Sequence, residues 1–335
     1  MRILVLHPGA LGDVILSLPA LEELRRSSPG TRLTLAGNLD YLGACARGHA
    51  DEVVSLSALP LHRFFMAEPQ PPAEVSFWRS FDRILSWLGA HEPAFARRLS
   101  EIHRDVLIAD WKPRPGERRH VSRIFLDGLA PWLGSPRAPA PVRIHPDPEA
   151  RAVSLAWMKA QGLAPNVPVF AVHPGAGNPE KRWPLDGFRM LSTWLLARRK
   201  AQLLVFEGPA EQGLGRELAC ALGGAAAAVA SSLPLPLAAA AMARCRLFVG
   251  NDSGMAHLAA ALGIPTVVLF GPTEPAHWAP LGAHVAVLRN NGACPACREG
   301  RAGGHTCMER IPARTVLERC LAILQQHGPL QDPGE

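Results

Sequence analysis

The chain has 335 residues, 48% of them hydrophobic and 19% charged, a balance that suits a folded protein with room for two α/β domains. Its seven cysteines are odd in number and mostly scattered, which argues against a secreted disulfide framework. The net charge of +6 rests mainly on arginine, but no nucleic-acid-binding motif is present and no aromatic residues are interleaved with the arginines as a stacking platform, so nucleic acid is not an expected partner.

The apolar run 3–6 is too short for a signal-peptide core and is expected to open the fold as a strand over 3–7. A helix over 13–26 follows, with Val14, Leu18, Leu21 and Leu24 on one face. Strands are expected at 33–36, 53–56 and 106–109, and Pro69 to Pro72 mark a loop. Prolines crowd 131–148, which reads as a linker before a helix over 149–161 and places the domain boundary near 148. A second series of strands, at 169–173, 203–206, 247–250, 266–270 and 285–288, alternates with helices over 187–199, 210–221 and 254–262. Such alternation is the signature of parallel α/β architecture. The longest charge-free stretch, between Glu217 and Arg244, is cut by Gly223-Gly224, Pro234 and Pro236 and makes a poor membrane span. The expected compartment is the cytoplasm, with peripheral contact at the membrane surface compatible with the basic balance.

Both halves open alike. The first strand runs into His7-Pro8-Gly9-Ala10, and the strand over 169–173 runs into His173-Pro174-Gly175-Ala176. Two Rossmann-like halves, 1–148 and 149–335, are therefore expected to face each other across a cleft, with ligands beyond the carboxyl ends of the strands.

Five constellations carry candidate chemistry. Gly9-Ala10-Leu11-Gly12-Asp13 joins a strand to a helix, where glycines admit a close ligand and free N–H groups favour anions. On spacing alone Asp13 is either a first-turn cap or a base that accepts a proton from a sugar hydroxyl. The spacing lacks the dinucleotide fingerprint G-x-G-x-x-G, which counts against a nicotinamide-dependent dehydrogenase. Gly175-Ala176-Gly177, with Lys181-Arg182-Trp183-Pro184 beyond it, suits phosphate binding, and Lys181 reads as either a diphosphate ligand or a surface lysine. Asp252-Ser253-Gly254-Met255 opens an Ala-rich helix whose free N–H groups make an anion site, and His257 on that helix either reaches a phosphate or packs. Glu211, past the strand at 203–206, reads as a ribose contact or a first-turn acid. Cys294, Cys297, His305 and Cys307 form a candidate zinc set, but the close His305-x-Cys307 pair is unusual for one, and a redox pair or plain loop cysteines remain alternatives.

Taken in order, these motifs resemble the heptosyltransferases of glycosyltransferase family 9. The resemblance rests on Gly12-Asp13 with Leu18-Pro19-Ala20-Leu21, on His173-Pro174-Gly175 with Lys181-x-Trp183-Pro184, and on Asp252-Ser253-Gly254-x-x-His257. Gly263-x-Pro265, Phe270-Gly271-Pro272-Thr273 and Cys307-Met308 also fit. The resemblance implies a GT-B architecture and inverting, metal-independent transfer with no cofactor. The donor is expected to be a nucleotide-diphosphate sugar such as ADP-heptose, and the acceptor a glycan or lipopolysaccharide core. It further implies that Asp13 is the base, that Lys181 and the helix opening at Ser253 hold the donor diphosphate, and that Glu211 contacts the nucleoside. The turn 9–12 and the arginines at 119 and 123 are expected on the acceptor side, although those arginines equally suit an exposed helical face. A last helix over 313–325 is expected to pack back on the first domain. A nucleotide-sugar epimerase of the same architecture and a non-catalytic nucleotide-sugar-binding protein are the competing readings.

Overall fold

A computed structural model describes residues 1–66, 69–199, 201–223, 227–290, 294–299, 301 and 303–327. Its contacts divide the chain into two compact units, Met1–His145 and Pro146–Glu335.

The first unit is built on a parallel sheet of order β3-β2-β1-β4-β5, from β1 (Arg2–Leu6), β2 (Arg32–Gly37), β3 (Glu52–Ser55), β4 (Arg83–Ser86) and β5 (Val106–Ile108). Ile3, Leu4, Val5 and Leu6 are all buried, as expected for a central strand covered on both faces. Helix α1 (Leu11–Ser27) starts earlier than its apolar stripe suggests, because the turn residues Leu11 and Gly12 already belong to it. It packs beside α2 (Val121–Asp127). Two sequence expectations shift here. Pro72 does not end a loop but opens the helix Pro72–Arg79, and Pro131 lies in the first turn of the short helix Ala130–Leu133, since proline's missing N–H costs nothing at a helix start. Strand β4 has no counterpart among the expected elements, because its Ile84-Leu85 core is too brief to stand out as an apolar run.

The second unit holds a six-stranded parallel sheet of order β11-β10-β9-β6-β7-β8. Its strands are β6 (Val169–His173), β7 (Gln202–Glu207), β8 (Ala227–Ser231), β9 (Leu247–Asn251), β10 (Thr266–Phe270) and β11 (Val285–Arg289). The helices are α3 (Pro148–Ala160), α4 (Leu185–Arg199), α5 (Leu214–Ala221), α6 (Leu235–Met242), α7 (Gly254–Ala261) and α8 (Ala313–His327). Alanine-rich β8 also lacks a counterpart, because Ala has little intrinsic preference for strands. The helix expected over 210–221 is broken at Gly213, whose φ of 100° no L-residue adopts without strain. Helix α8 turns buried apolar residues into its own unit. Val316, Leu317, Cys320 and Ile323 enter the second unit's own core, beside α4 and the β9–β11 side of the sheet. The strand order reverses between β6 and β9, so the carboxyl ends of these two strands flank the crevice where ligands of such sheets bind.

Candidate active site

In the second unit the turn after β6 is fixed from three sides. His173 is buried, and its Nε2 donates to Glu211 Oε1 at 2.8 Å, which leaves Nδ1 to accept from Ser253 Oγ at 3.3 Å. The hydrogen bond from His173 holds the Glu211 carboxyl below its usual range, against the opposing effect of burial. Gly208 N–H donates to the same carboxylate oxygen at 3.0 Å. Glu211 packs so closely over the turn that a Cβ at Gly175 would lie 2.2 Å from Glu211 Cγ, which is why glycine is required there. Glu211, expected as a nucleoside contact, is a buried carboxylate whose Oε1 bonds His173 and Gly208, and it positions the turn and, through His173, the Ser253 hydroxyl.

Asn251, at the end of β9 and fully buried, is the residue that sequence reasoning passed over. Its amide donates to the carbonyls of Pro174 and Gly175 at 2.9 and 3.1 Å, while its Oδ1 accepts from Trp183 N–H at 3.0 Å. One side chain therefore ties the Gly175-Ala176-Gly177 turn to the segment that carries Lys181. The only signal in the sequence was its place in the strand-to-helix junction beside Asp252. Arg182 adds a further tie, donating to the Ala176 carbonyl at 2.9 Å.

Lys181 Nζ lies 2.8 Å from Asp252 Oδ2, and the lysine side chain keeps 29% of its surface while the aspartate keeps 7%. The pair sits directly before α7, whose first-turn N–H groups at Gly254 and Met255 have no preceding helical carbonyl to bond. Ser253, Gly254 and Met255 are half-buried and remain accessible, and Gly177 is exposed. A cation, a helix N-terminus and a glycine turn at neighbouring strand ends make an anion cradle with two adjacent positive elements, the requirement for a diphosphate. His257, the fourth residue of α7, is only 4% exposed.

In the first unit Asp13 is half-buried in the first turn of α1, and its Oδ2 accepts from Ala10 N–H at 2.9 Å. It does serve as the helix's internal cap. Gly9 allows this, because a Cβ there would stand 2.6 Å from Asp13 Cβ and 2.7 Å from His7 Cε1. His7 is buried among Trp87, Trp111 and Phe125, and burial pushes its imidazole pKa down to about 4, so it is neutral and accepts from Gly9 N–H at 3.0 Å. Beside this turn lies a cavity of about 650 Å³ at the carboxyl ends of the first sheet, lined by His7, Asn38, Asp40, Ser57, His62 and Phe65 among others.

Arg119 and Arg123, expected on the acceptor side, are already paired. Arg119 reaches Asp127 at 2.9 Å and chelates Glu117, whose pKa it holds down to about 2; Arg123 meets Asp127 at 2.7 Å. They close the start of α2 and are not free cations. Cys294, Cys297, His305 and Cys307, left by the sequence as a zinc set, a redox pair or loop cysteines, converge, with all four ligand atoms within 4.8 Å of one another.

The model of Glycosyltransferase family 9 (heptosyltransferase) matches residues 117–303. Lipooligosaccharide heptosyltransferase 2 of Haemophilus influenzae is 24% identical, with 97% of this chain and 99% of the relative aligned. Lipopolysaccharide heptosyltransferase 1 of Pseudomonas aeruginosa is 27% identical over 89% of this chain and 86% of its own. Among solved structures, E. coli ADP-heptose lps heptosyltransferase II superposes with a TM-score of 0.76 at 22% identity, covering 98% of this chain and 99% of that one. E. coli heptosyltransferase WaaC with ADP gives 0.65 at 19% identity, covering 96% and 100%. The two parallel-sheet domains thus have the GT-B fold of these structures. With more than half of its length matched by the family model, the chain is an enzyme that belongs to glycosyltransferase family 9, the heptosyltransferase family.

Proposed function

We propose that the chain transfers a heptose from an ADP-activated donor to a lipopolysaccharide-core acceptor, with inversion and without a metal ion on the diphosphate. The observation that carries the donor half is the Lys181–Asp252 pair set at the N-terminus of α7. Lys181 supplies the mobile positive charge and the α7 N–H groups the fixed one, so the leaving diphosphate has two protein-borne partners that take the place of a divalent cation. The names of the relatives support heptose and the lipopolysaccharide core as substrates, and the solved complex of WaaC with ADP supports adenine as the base.

In this reading the acceptor hydroxyl attacks the anomeric carbon as Asp13 takes its proton. The bond from that carbon to the β-phosphate oxygen breaks, and its electron pair leaves on the nucleoside diphosphate. One displacement inverts the anomeric centre, through an oxocarbenium-like state. Asp13 suits the role because it is half-buried, already oriented by Ala10 N–H, and placed at the edge of a sheet whose cavity has room for a sugar. Pairing of Arg119 and Arg123 with carboxylates directs the search for acceptor contacts to the cavity walls, where Asn38, Asp40, Ser57 and His62 offer polar groups.

The test is calorimetric titration with ADP, GDP, UDP and CDP in metal-free buffer, followed by transfer assays with and without a chelator of divalent cations. Selective binding of ADP and chelator-insensitive transfer of heptose are expected. Folded protein that binds no diphosphate would remove the donor assignment, and transfer that stops on chelation and returns with magnesium would remove the metal-independent mechanism.

A further inference from the structure

We propose that Cys294, Cys297, His305 and Cys307 form a tetrahedral zinc site that holds the donor-binding turn in place from behind. The four ligand atoms are already gathered. Cys307 Sγ lies 3.3 Å from both Cys294 Sγ and Cys297 Sγ, and His305 Nδ1 lies 3.2 Å from Cys297 Sγ and 3.7 Å from Cys294 Sγ. Zinc–sulfur bonds of about 2.3 Å and zinc–nitrogen bonds of about 2.0 Å require edges of roughly 3.5–3.8 Å in a tetrahedron, within about 0.5 Å of these four distances, and all the ligand atoms lie within 4.8 Å of one another. A disulfide would bring two sulfurs to about 2.05 Å and strand the third. Thiols are weak hydrogen-bond donors, so three of them converging on one imidazole gain little from each other. Three sulfurs and one imidazole nitrogen are the donor set of a closed structural zinc centre.

Local geometry follows the same plan. Cys294 precedes the single helical turn Pro295–Arg298, which presents Cys297 back toward it, and Arg298 N–H bonds the Cys294 carbonyl at 3.0 Å. Cys294 and Cys307 are buried, while Cys297 and His305 are half-buried. The remaining thiols are dispersed: Cys45, Cys245 and Cys320 are buried and Cys220 is exposed.

The knuckle does not stand alone. Glu180, the neighbour of Lys181, accepts from Gly304 N–H at 2.6 Å and His305 N–H at 3.3 Å. Trp183 Nε1 donates to the Ile311 carbonyl at 2.9 Å, and Met308 fills the space that a Cβ at Gly271 would need. Glu180 is thus held by the loop that the ion would close, and Trp183 by the residues that directly follow it. Without the ion, the backbone at Gly304 and His305 that bonds Glu180 loses its anchor, and the lysine loses its fixed starting position. This coupling to Lys181 rests on the donor site proposed above; the metal site itself does not.

The decisive measurement is metal content by inductively coupled plasma mass spectrometry on full-length protein purified without chelators. About one zinc per chain is expected in the wild type and in Cys220→Ser, falling at least about tenfold in Cys294→Ser and Cys307→Ser. Because those two variants depend on folding, a second measurement uses wild type alone: titration with a mercurial should release zinc to a chromogenic chelator as three thiols react. Zinc below about a tenth per chain after zinc-replete growth and refeeding, zinc retained in both serine variants, a Cys–Cys disulfide found by mass, or stoichiometric iron instead of zinc would each overturn the assignment. Removing zinc from wild type should raise the Kd for ADP about tenfold and refeeding should reverse it; an unchanged Kd in demetallated, folded protein that binds ADP overturns the coupling to Lys181.

Discussion

Replacing Lys181 with alanine tests the donor cradle at its most exposed element. Two losses are expected to add. A charge-assisted hydrogen bond from the ammonium to a phosphate oxygen contributes about 1.5–3 kcal/mol. Its removal also leaves the Asp252 carboxylate, whose side chain is 7% exposed and bonded to Lys181 at 2.8 Å, facing the incoming anion without its counter-charge. At a separation of about 5 Å that repulsion is about 1–3 kcal/mol for effective dielectric constants between those of water and a protein surface. Together they come to about 2.5–6 kcal/mol and imply a Kd for ADP raised by about 10²–10⁴, since each 1.4 kcal/mol is a factor of ten. The double variant Lys181→Ala/Asp252→Asn removes the repulsion and keeps the loss of the bond, so it should bind about tenfold more tightly than Lys181→Ala. Asp252→Asn alone frees the lysine and should bind at least as well as the wild type. Calorimetry in metal-free buffer reads all four proteins, with thermal melts to confirm that each is folded. A Kd for Lys181→Ala within about twofold of wild type would refute the cradle, and a double variant no better than the single would show that Asp252 does not face the ligand.

Three other outcomes follow from the same geometry. Asp13→Asn keeps an oxygen for Ala10 N–H but loses the base, so turnover should fall about 10²–10⁴-fold with ADP affinity unchanged; near-normal turnover would leave Asp13 as a cap alone. Glu211 has its pKa lowered in the fold, chiefly by His173, so it adds stability above its unfolded pKa that is lost as pH falls through the folded one. Glu211→Gln should therefore flatten the acid side of the melting-temperature profile below about pH 5, and a profile parallel to wild type there would count against the His173–Glu211 bond. Arg119→Ala with Arg123→Ala should lower thermal stability while changing the acceptor KM by less than about threefold, as paired surface ions contribute little beyond their own helix; a tenfold rise in KM would return them to the acceptor site.

How much of this was legible in the sequence depends on the range of the interaction. Strands such as 169–173 and 266–270 announce themselves as apolar runs because both faces are covered, and the turns after them are visible as glycines. Lys181, Ser253 and Gly254 stand out as candidates for the same reason: a glycine turn or a helix start marks a candidate anion site locally. The pairings of Glu211 and the arginines are harder to read from the sequence. Glu211 is 38 residues from His173, and a carboxylate near a strand end looks the same whether it meets ribose or a buried imidazole. Arg119 and Arg123 differ from free cations only through Glu117 and Asp127, a short-range pattern that charge counting overlooks.

Asn251 shows what no local pattern exposes. Three hydrogen bonds to residues 68–77 positions away give it the task of joining two loops, and nothing in its neighbours' identities specifies that task. The cysteine cluster belongs to the same class, since His305 and Cys307 look misplaced for a ligand set until the turn at Pro295–Arg298 brings Cys294 and Cys297 against them. In each case the long-range residue acts on the one that could be read. Asn251 holds the backbone at Trp183, Glu180 ties its own carboxylate to the cysteine segment, and Lys181 lies between them. The lysine that sequence alone leaves as a surface residue or a ligand is suited to the proposed ligand role because both of its flanks are fixed: an ammonium on a held backbone loses less freedom on meeting a phosphate than one on a free loop.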